Sequence, residues 1–121
     1  MDLIIQNNAN LFPRDQIRIE RLEAAPYPDG RRVKVSVHIT PYRERPNLDI
    51  AIFDAGGVRV ASTSVIEAMT FKMEMNLHLR GDASLEGIYT VRVMLYFDDL
   101  SAPQDTKQVR FSVEPPPVGG A

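Results

Sequence analysis

Apolar and polar residues alternate strictly along several stretches of this chain. Val33, Val35, Val37 and Ile39 alternate with Lys34, Ser36, His38 and Thr40. Phe71, Met73, Met75, Leu77 and Leu79 alternate with Lys72, Glu74, Asn76, His78 and Arg80. Tyr89, Val91, Val93, Leu95 and Phe97 form a third series, and Val109, Phe111 and Val113 a fourth. Leu48, Ile50 and Ile52 make a shorter fifth. A period of two sends successive side chains to opposite faces of a strand, so each series predicts a β-strand with one apolar face. Ile17 and Ile19 begin a sixth series, but Leu22 falls on the wrong parity. That break predicts a bulge or bend near Glu20 and Arg21.

Turn residues separate these runs: Pro26 to Gly30, Pro41 to Pro46, Gly81 to Gly87 and Asp98 to Asp105. Asp54-Ala55-Gly56-Gly57 predicts a tight hairpin into Val58-Arg59-Val60. Seven strands follow, over 16–23, 32–41, 47–54, 58–64, 71–80, 87–97 and 106–114, with 58–66 assignable to either of two sheets. The only helical candidate is a single turn between Val65 and Thr70. The domain plan is an N-terminal extension or edge strand over 1–13, a sandwich over 14–114, and a Pro/Gly-rich tail over 115–121, where three successive prolines cannot join a ladder.

Strands with one apolar face need a second apolar layer, and no amphipathic helix offers one. The predicted fold is therefore all-β, either two antiparallel sheets packed face to face or one sheet closed on itself. Leu85-Glu86-Gly87-Ile88-Tyr89, followed by Val91 and Val93, resembles the corner entering strand F of immunoglobulin-like and fibronectin type III-like domains. The resemblance implies a two-sheet sandwich over 16–114 with Tyr89 as a structural corner. The cysteine pair and the tryptophan of antibody domains are absent, so no antibody-type function follows.

Composition narrows the function. The 121 residues carry 14 Lys+Arg and 16 Asp+Glu, a net charge of −2, with signs interleaved. That balance argues against nucleic acid and anionic lipid as partners. With no cysteine, disulfides, thiolate metal sites and cysteine nucleophiles are all excluded. No basic n-region with an apolar core opens the chain, and no apolar run reaches membrane-spanning length. These features predict a cytoplasmic protein without membrane insertion, or a piece of a larger one.

Candidate chemistry is sparse. His38 and His78 lie on polar faces of strands that pair, but no third ligand accompanies them as zinc would require. Asp98, Asp99 and Asp105 match no calcium-loop spacing and read as turn residues. No Gly-x-Ser-x-Gly elbow, phosphate loop or dinucleotide fingerprint occurs. The chain is expected to be non-enzymatic, with no metal and no cofactor. Tyr27, Arg31, Tyr42 and Arg43 lie in loops and offer the residue types of a carbohydrate- or small-ligand site.

The informative anomaly is on a polar parity. If strands 47–54 and 87–97 pair, their outward residues include Ala51, Phe53, Ile88, Met94 and Tyr96. Arg59, Arg92 and Arg110 would rim them. An exposed apolar patch on a sheet face implies a partner surface, unless Leu3-Ile4-Ile5 or Leu11-Phe12 covers it. The expected role is a binding or interaction module, engaging another protein or a second copy of itself through Ala51, Phe53, Arg92, Met94, Tyr96 and Arg110.

Overall fold

Every alternating run becomes a strand. The computed structural model describes residues 11–81 and 86–114. In chain order the strands are β1 (Ile19–Pro26), β2 (Arg32–Ile39), β3 (Asn47–Phe53), β4 (Arg59–Val65), β5 (Lys72–His78), β6 (Gly87–Tyr96) and β7 (Asp105–Val113). A 3-10 turn, Arg14–Gln16, precedes them. The strands form two sheets with orders β1-β2-β5 and β4-β3-β6-β7, paired antiparallel throughout. The chain is an immunoglobulin-like β-sandwich. β4 joins β3, not the first sheet as in constant-type immunoglobulin domains.

The apolar parity of each run faces the other sheet. Val33, Val35, Val37, Leu48, Ile50, Ile52, Val91, Val93 and Leu95 have no solvent exposure. Removing this aliphatic surface from water is the main drive to fold. The expected bulge is present: the β1–β2 register shifts between Ile19 and Arg21 and returns Leu22 to the core. A second shift, between Ile52 and Phe53 in the β3–β4 pairing, sets Phe53 opposite Arg59.

Two acidic side chains build the turns. The Asp54 carboxylate accepts from the backbone N–H of Gly56 and Val58, and Gly57 takes the left-handed φ of 83° that the hairpin requires. Asp29 accepts from the N–H of Arg31 and Arg32 and from Arg32 Nε. These bonds hold its carboxyl at a pKa of about 2, below the usual 3.8.

The helical turn expected at Val65–Thr70 is not formed. Its backbone groups are taken from outside the segment: Ala68 N–H donates to Pro46 O, Glu67 N–H to the Asn47 side chain, and Tyr42 OH to Ala68 O. Glu67 itself sits at a φ of 52°, which no right-handed helix accommodates. The N-terminal extension enters as a single parallel bridge between Phe12 and Tyr42. Residues 1–10, including Leu3-Ile4-Ile5, and the tail 115–121 lie outside the described residues. Among those described, no helix is long and apolar enough to cross a membrane.

Candidate functional site

Register places four strands side by side on the outer face of the larger sheet. One cross-strand row reads Arg59, Phe53, Thr90, Arg110. The next reads Ser62, Ala51, Arg92, Gln108, and the third Ser64, Asp49, Met94, Thr106. Tyr96 stands opposite Asn47 beyond them. The face thus gathers Ala51, Phe53, Arg92, Met94, Tyr96 and Arg110.

The face differs from the exposed apolar patch that parity predicts. Ala51 is completely buried, and Phe53, Met94 and Tyr96 are each half-buried. Of the apolar residues named for this face only Ile88 is well exposed, at 46%. The cause is Arg92. It occupies the centre of the face, not its rim, and its guanidinium stacks on the Phe53 ring 4.8 Å from the centroid. Arg59 approaches the same ring at 5.8 Å. Long arginine stems cover apolar surface while their charged heads stay near water. Arg92 Nε is buried with no hydrogen-bond partner among the described residues. Asp49, only 9% exposed, completes the centre. Parity points outward at Asp49 and Thr90, yet their membership of this site follows only from register.

The covering segment suggested by Leu11-Phe12 goes elsewhere. Phe12 N–H donates to Pro41 O and Arg43 N–H to Phe12 O, which fixes Phe12 beside the β2–β3 connection, itself 42% exposed.

The loop ligand site does not assemble. Tyr27 and Arg31 lie at the start of β2, and Tyr42 and Arg43 beyond its end. Eight residues of β2 intervene, roughly 26 Å at about 3.3 Å per residue. Tyr42 is also buried, edge-on to Phe71 at 4.8 Å, with burial pushing its phenol pKa up. Tyr27 donates to Asn76 and carries the Arg32 guanidinium over its ring at 4.4 Å.

The other polar candidates are separated or engaged. His38 stands opposite Lys72 and His78 opposite Arg32, so the two imidazoles lie at opposite ends of the β2–β5 pair and not side by side. Asp98 pairs with Arg14, Asp99 accepts from both N–H and OH of Ser101, and Asp105 accepts from Ile19 N–H. Among the described residues no three His, Asp or Glu side chains converge as a metal site. A cleft of about 360 Å³ opens between the edges of β4 and β5, lined by Ser62, Thr63, Asn76, His78 and Arg80. No hydrogen bond joins Ser62 to His78 there. Tyr89 is buried and stacks on Phe111 at 5.6 Å, with burial raising its phenol pKa.

Fold and face together describe an immunoglobulin-like sandwich whose larger sheet carries an aromatic and arginine-rich outer surface. No protein-family model matches the chain, and no curated protein matches it. Solved structures do resemble it. A glycosyl hydrolase family 2 member from Bacteroides cellulosilyticus superposes with a TM-score of 0.59 at 16% identity, covering 80% of this chain and 15% of that one. A β-glucuronidase from Parabacteroides merdae gives 0.56 at 15% identity, covering 80% and 14%. A β-glucuronidase from Ruminococcus gnavus gives 0.54 at 16% identity, covering 81% and 16%. At these identities the similarity is one of fold. The chain spans about one-seventh of the length of these neighbours.

Proposed function

We propose that this chain is a non-catalytic interaction module that engages a protein surface through the outer face of its β4-β3-β6-β7 sheet. The observation that carries the reading is the packing at the centre of that face. The Arg92 guanidinium sits over the Phe53 ring, 4.8 Å from its centroid, and Arg92 pairs across the strands with a fully buried Ala51. Tyr96 and Met94 are half-buried beside them. Aromatic residues, Met and Arg are the types enriched where proteins meet. Side chains already immobilised in the free domain lose less entropy on docking.

The structural neighbours favour an accessory role. In the glycosyl hydrolase family 2 member and the two β-glucuronidases the matching fold covers 14–16% of the chain. A sandwich of this size beside a larger catalytic body supplies contact surface more naturally than chemistry. On that reading the docking surface belongs to a carbohydrate-active enzyme. The carbohydrate-binding alternative is weaker because Tyr27 and Arg31 do not converge with Tyr42 and Arg43.

The test uses paired variants. Phe53→Arg with Tyr96→Glu disrupts the face, and Lys72→Glu with Glu74→Lys alters the opposite sheet without touching it. Immobilised protein is exposed to an extract of its own source cells, and molar mass is followed by light scattering over a range of concentrations. Loss of partner capture or self-association in the first variant alone is expected. Equal behaviour of both variants would remove this face from the account.

A further inference from the structure

The geometry points to the chemistry of the partner: the outer face of the β4-β3-β6-β7 sheet is a receptor for a carboxylate-rich protein segment, gripped by Arg59, Arg92 and Arg110 around Phe53. This inference rests on the reading of that sheet face as the interaction surface.

The three arginines are brought together by register alone. Arg59 and Arg110 terminate the row that contains Phe53 and Thr90. Three strand spacings of about 4.8 Å separate them, roughly 14 Å between backbones. Arg92 lies two residues along β6 from Thr90, on the same face. Arg59 and Arg92 therefore meet over the Phe53 ring, and Arg110 stands at the far end of the same row.

Their charge is not consumed within the domain. Arg14, Arg21 and Arg32 each pair with a carboxylate. Among the described residues, no ion pair or side-chain hydrogen bond engages Arg59, Arg92 or Arg110. The only acidic side chain in the three rows is Asp49, and it is 9% exposed. The chain as a whole has a net charge of −2, so this face is a basic island on an acidic protein. A guanidinium held against a ring keeps its N–H fork preorganised for bidentate carboxylate recognition. Partial desolvation strengthens such a pair relative to one in open water.

The same packing selects the class of anion. Sugar recognition by stacking needs an open aromatic face, and Phe53 already has Arg92 at 4.8 Å and Arg59 at 5.8 Å. A four-stranded sheet face with arginines spread across its strands suits a protein segment bearing several Asp or Glu side chains. Complementary charge of this kind acts mainly on association rate and specificity, and it weakens with salt.

Fluorescence anisotropy with a labelled poly-glutamate peptide tests the proposal, with the intact chain at low and at physiological salt. The expected result is saturable, salt-sensitive binding that weakens by about tenfold or more in Arg92→Gln with Arg110→Gln. Arg110→Gln alone, at an exposed position, provides a variant with no folding role and is expected to weaken binding severalfold. Arg43→Gln with Arg45→Gln removes two exposed arginines from the β2–β3 connection and should leave affinity unchanged. Equal losses in both double variants, or no binding at all, would overturn the carboxylate proposal. So would tighter binding of a sulfated or uronate oligosaccharide than of the peptide at these arginines. If peptide binding fails while Phe53→Arg with Tyr96→Glu still abolishes partner capture, the face stands and only the partner's chemistry falls.

Discussion

The two outer faces of this sandwich obey different rules. On the β1-β2-β5 sheet the outward set includes Arg21, Glu23, Ala25, Lys34, Ser36, His38, Lys72, Glu74, Asn76 and His78, almost all polar; Lys34, Ser36 and His38 on the central strand are half-buried and the rest exposed. On the β4-β3-β6-β7 sheet the outward set includes Asp49 and Ala51, both buried, and Phe53, Arg92, Met94 and Tyr96, all half-buried. Both are outer faces of the sandwich formed by the described residues. Only the first follows the alternation that solvent demands. The second follows the composition of a contact surface. A fold needs only its inner faces to be apolar, so the departure on the second outer face reflects something other than folding.

The contrast can be broken by mutation. The largest effect belongs to neither outer face. Ile50, wholly buried between the sheets, should cost about 2–5 kcal/mol as Ile50→Ala, read from urea unfolding. Phe53→Ala comes next. Loss of a half-buried ring and two guanidinium contacts should cost about 1–2 kcal/mol. The equivalent outward truncation on the other sheet, Glu74→Ala, should stay within about 0.5 kcal/mol. Equal costs for these two would erase the distinction between the faces.

Arg92→Met sharpens it. The variant keeps an unbranched stem opposite Ala51 and removes the buried Nε that has no hydrogen-bond partner among the described residues. Relieving an unsatisfied polar group is neutral or stabilising, by up to about 1 kcal/mol. Stability retained while peptide binding falls would mark Arg92 as kept for contact and not for folding. A loss of more than about 2 kcal/mol would instead make it a structural residue.

The smallest effect is a matter of pH. Asp29 has its folded pKa depressed from 3.8 to about 2 by hydrogen bonds from Arg31 and Arg32. Its contribution is therefore fully present above the unfolded value and is lost as pH falls through about 4 toward 2. Asp29→Asn should flatten that part of the acid limb of a stability–pH profile and leave the neutral region little changed. An unaltered acid limb would mean that the β1–β2 turn carries no such linkage.

Much of the fold was legible because period-two alternation is a property of neighbours in sequence. Val33 to Ile39 and Tyr89 to Phe97 declare their inner faces without any knowledge of partners. The Leu22 parity break announced its bulge for the same reason. The candidate site was legible only in part, because contacts across strands depend on register. Parity places Arg92 outward, but only the pairing of Ala51 with Arg92 and of Phe53 with Thr90 sets its guanidinium over the Phe53 ring. Register likewise separates His38 from His78. The Val65–Thr70 segment misled for a further reason. Its propensity favours a helical turn, yet Pro46 O, the Asn47 side chain and Tyr42 OH claim its backbone groups from elsewhere in the chain.

The most direct measurement is an amide chemical-shift map of the ¹⁵N-labelled chain titrated with the poly-glutamate peptide. Shifts are expected to concentrate at Phe53, Thr90, Arg92 and Arg110, with β2 and β5 silent. Shifts centred on His38, Glu74 and Asn76, or on the Arg43–Arg45 connection, would contradict this expectation.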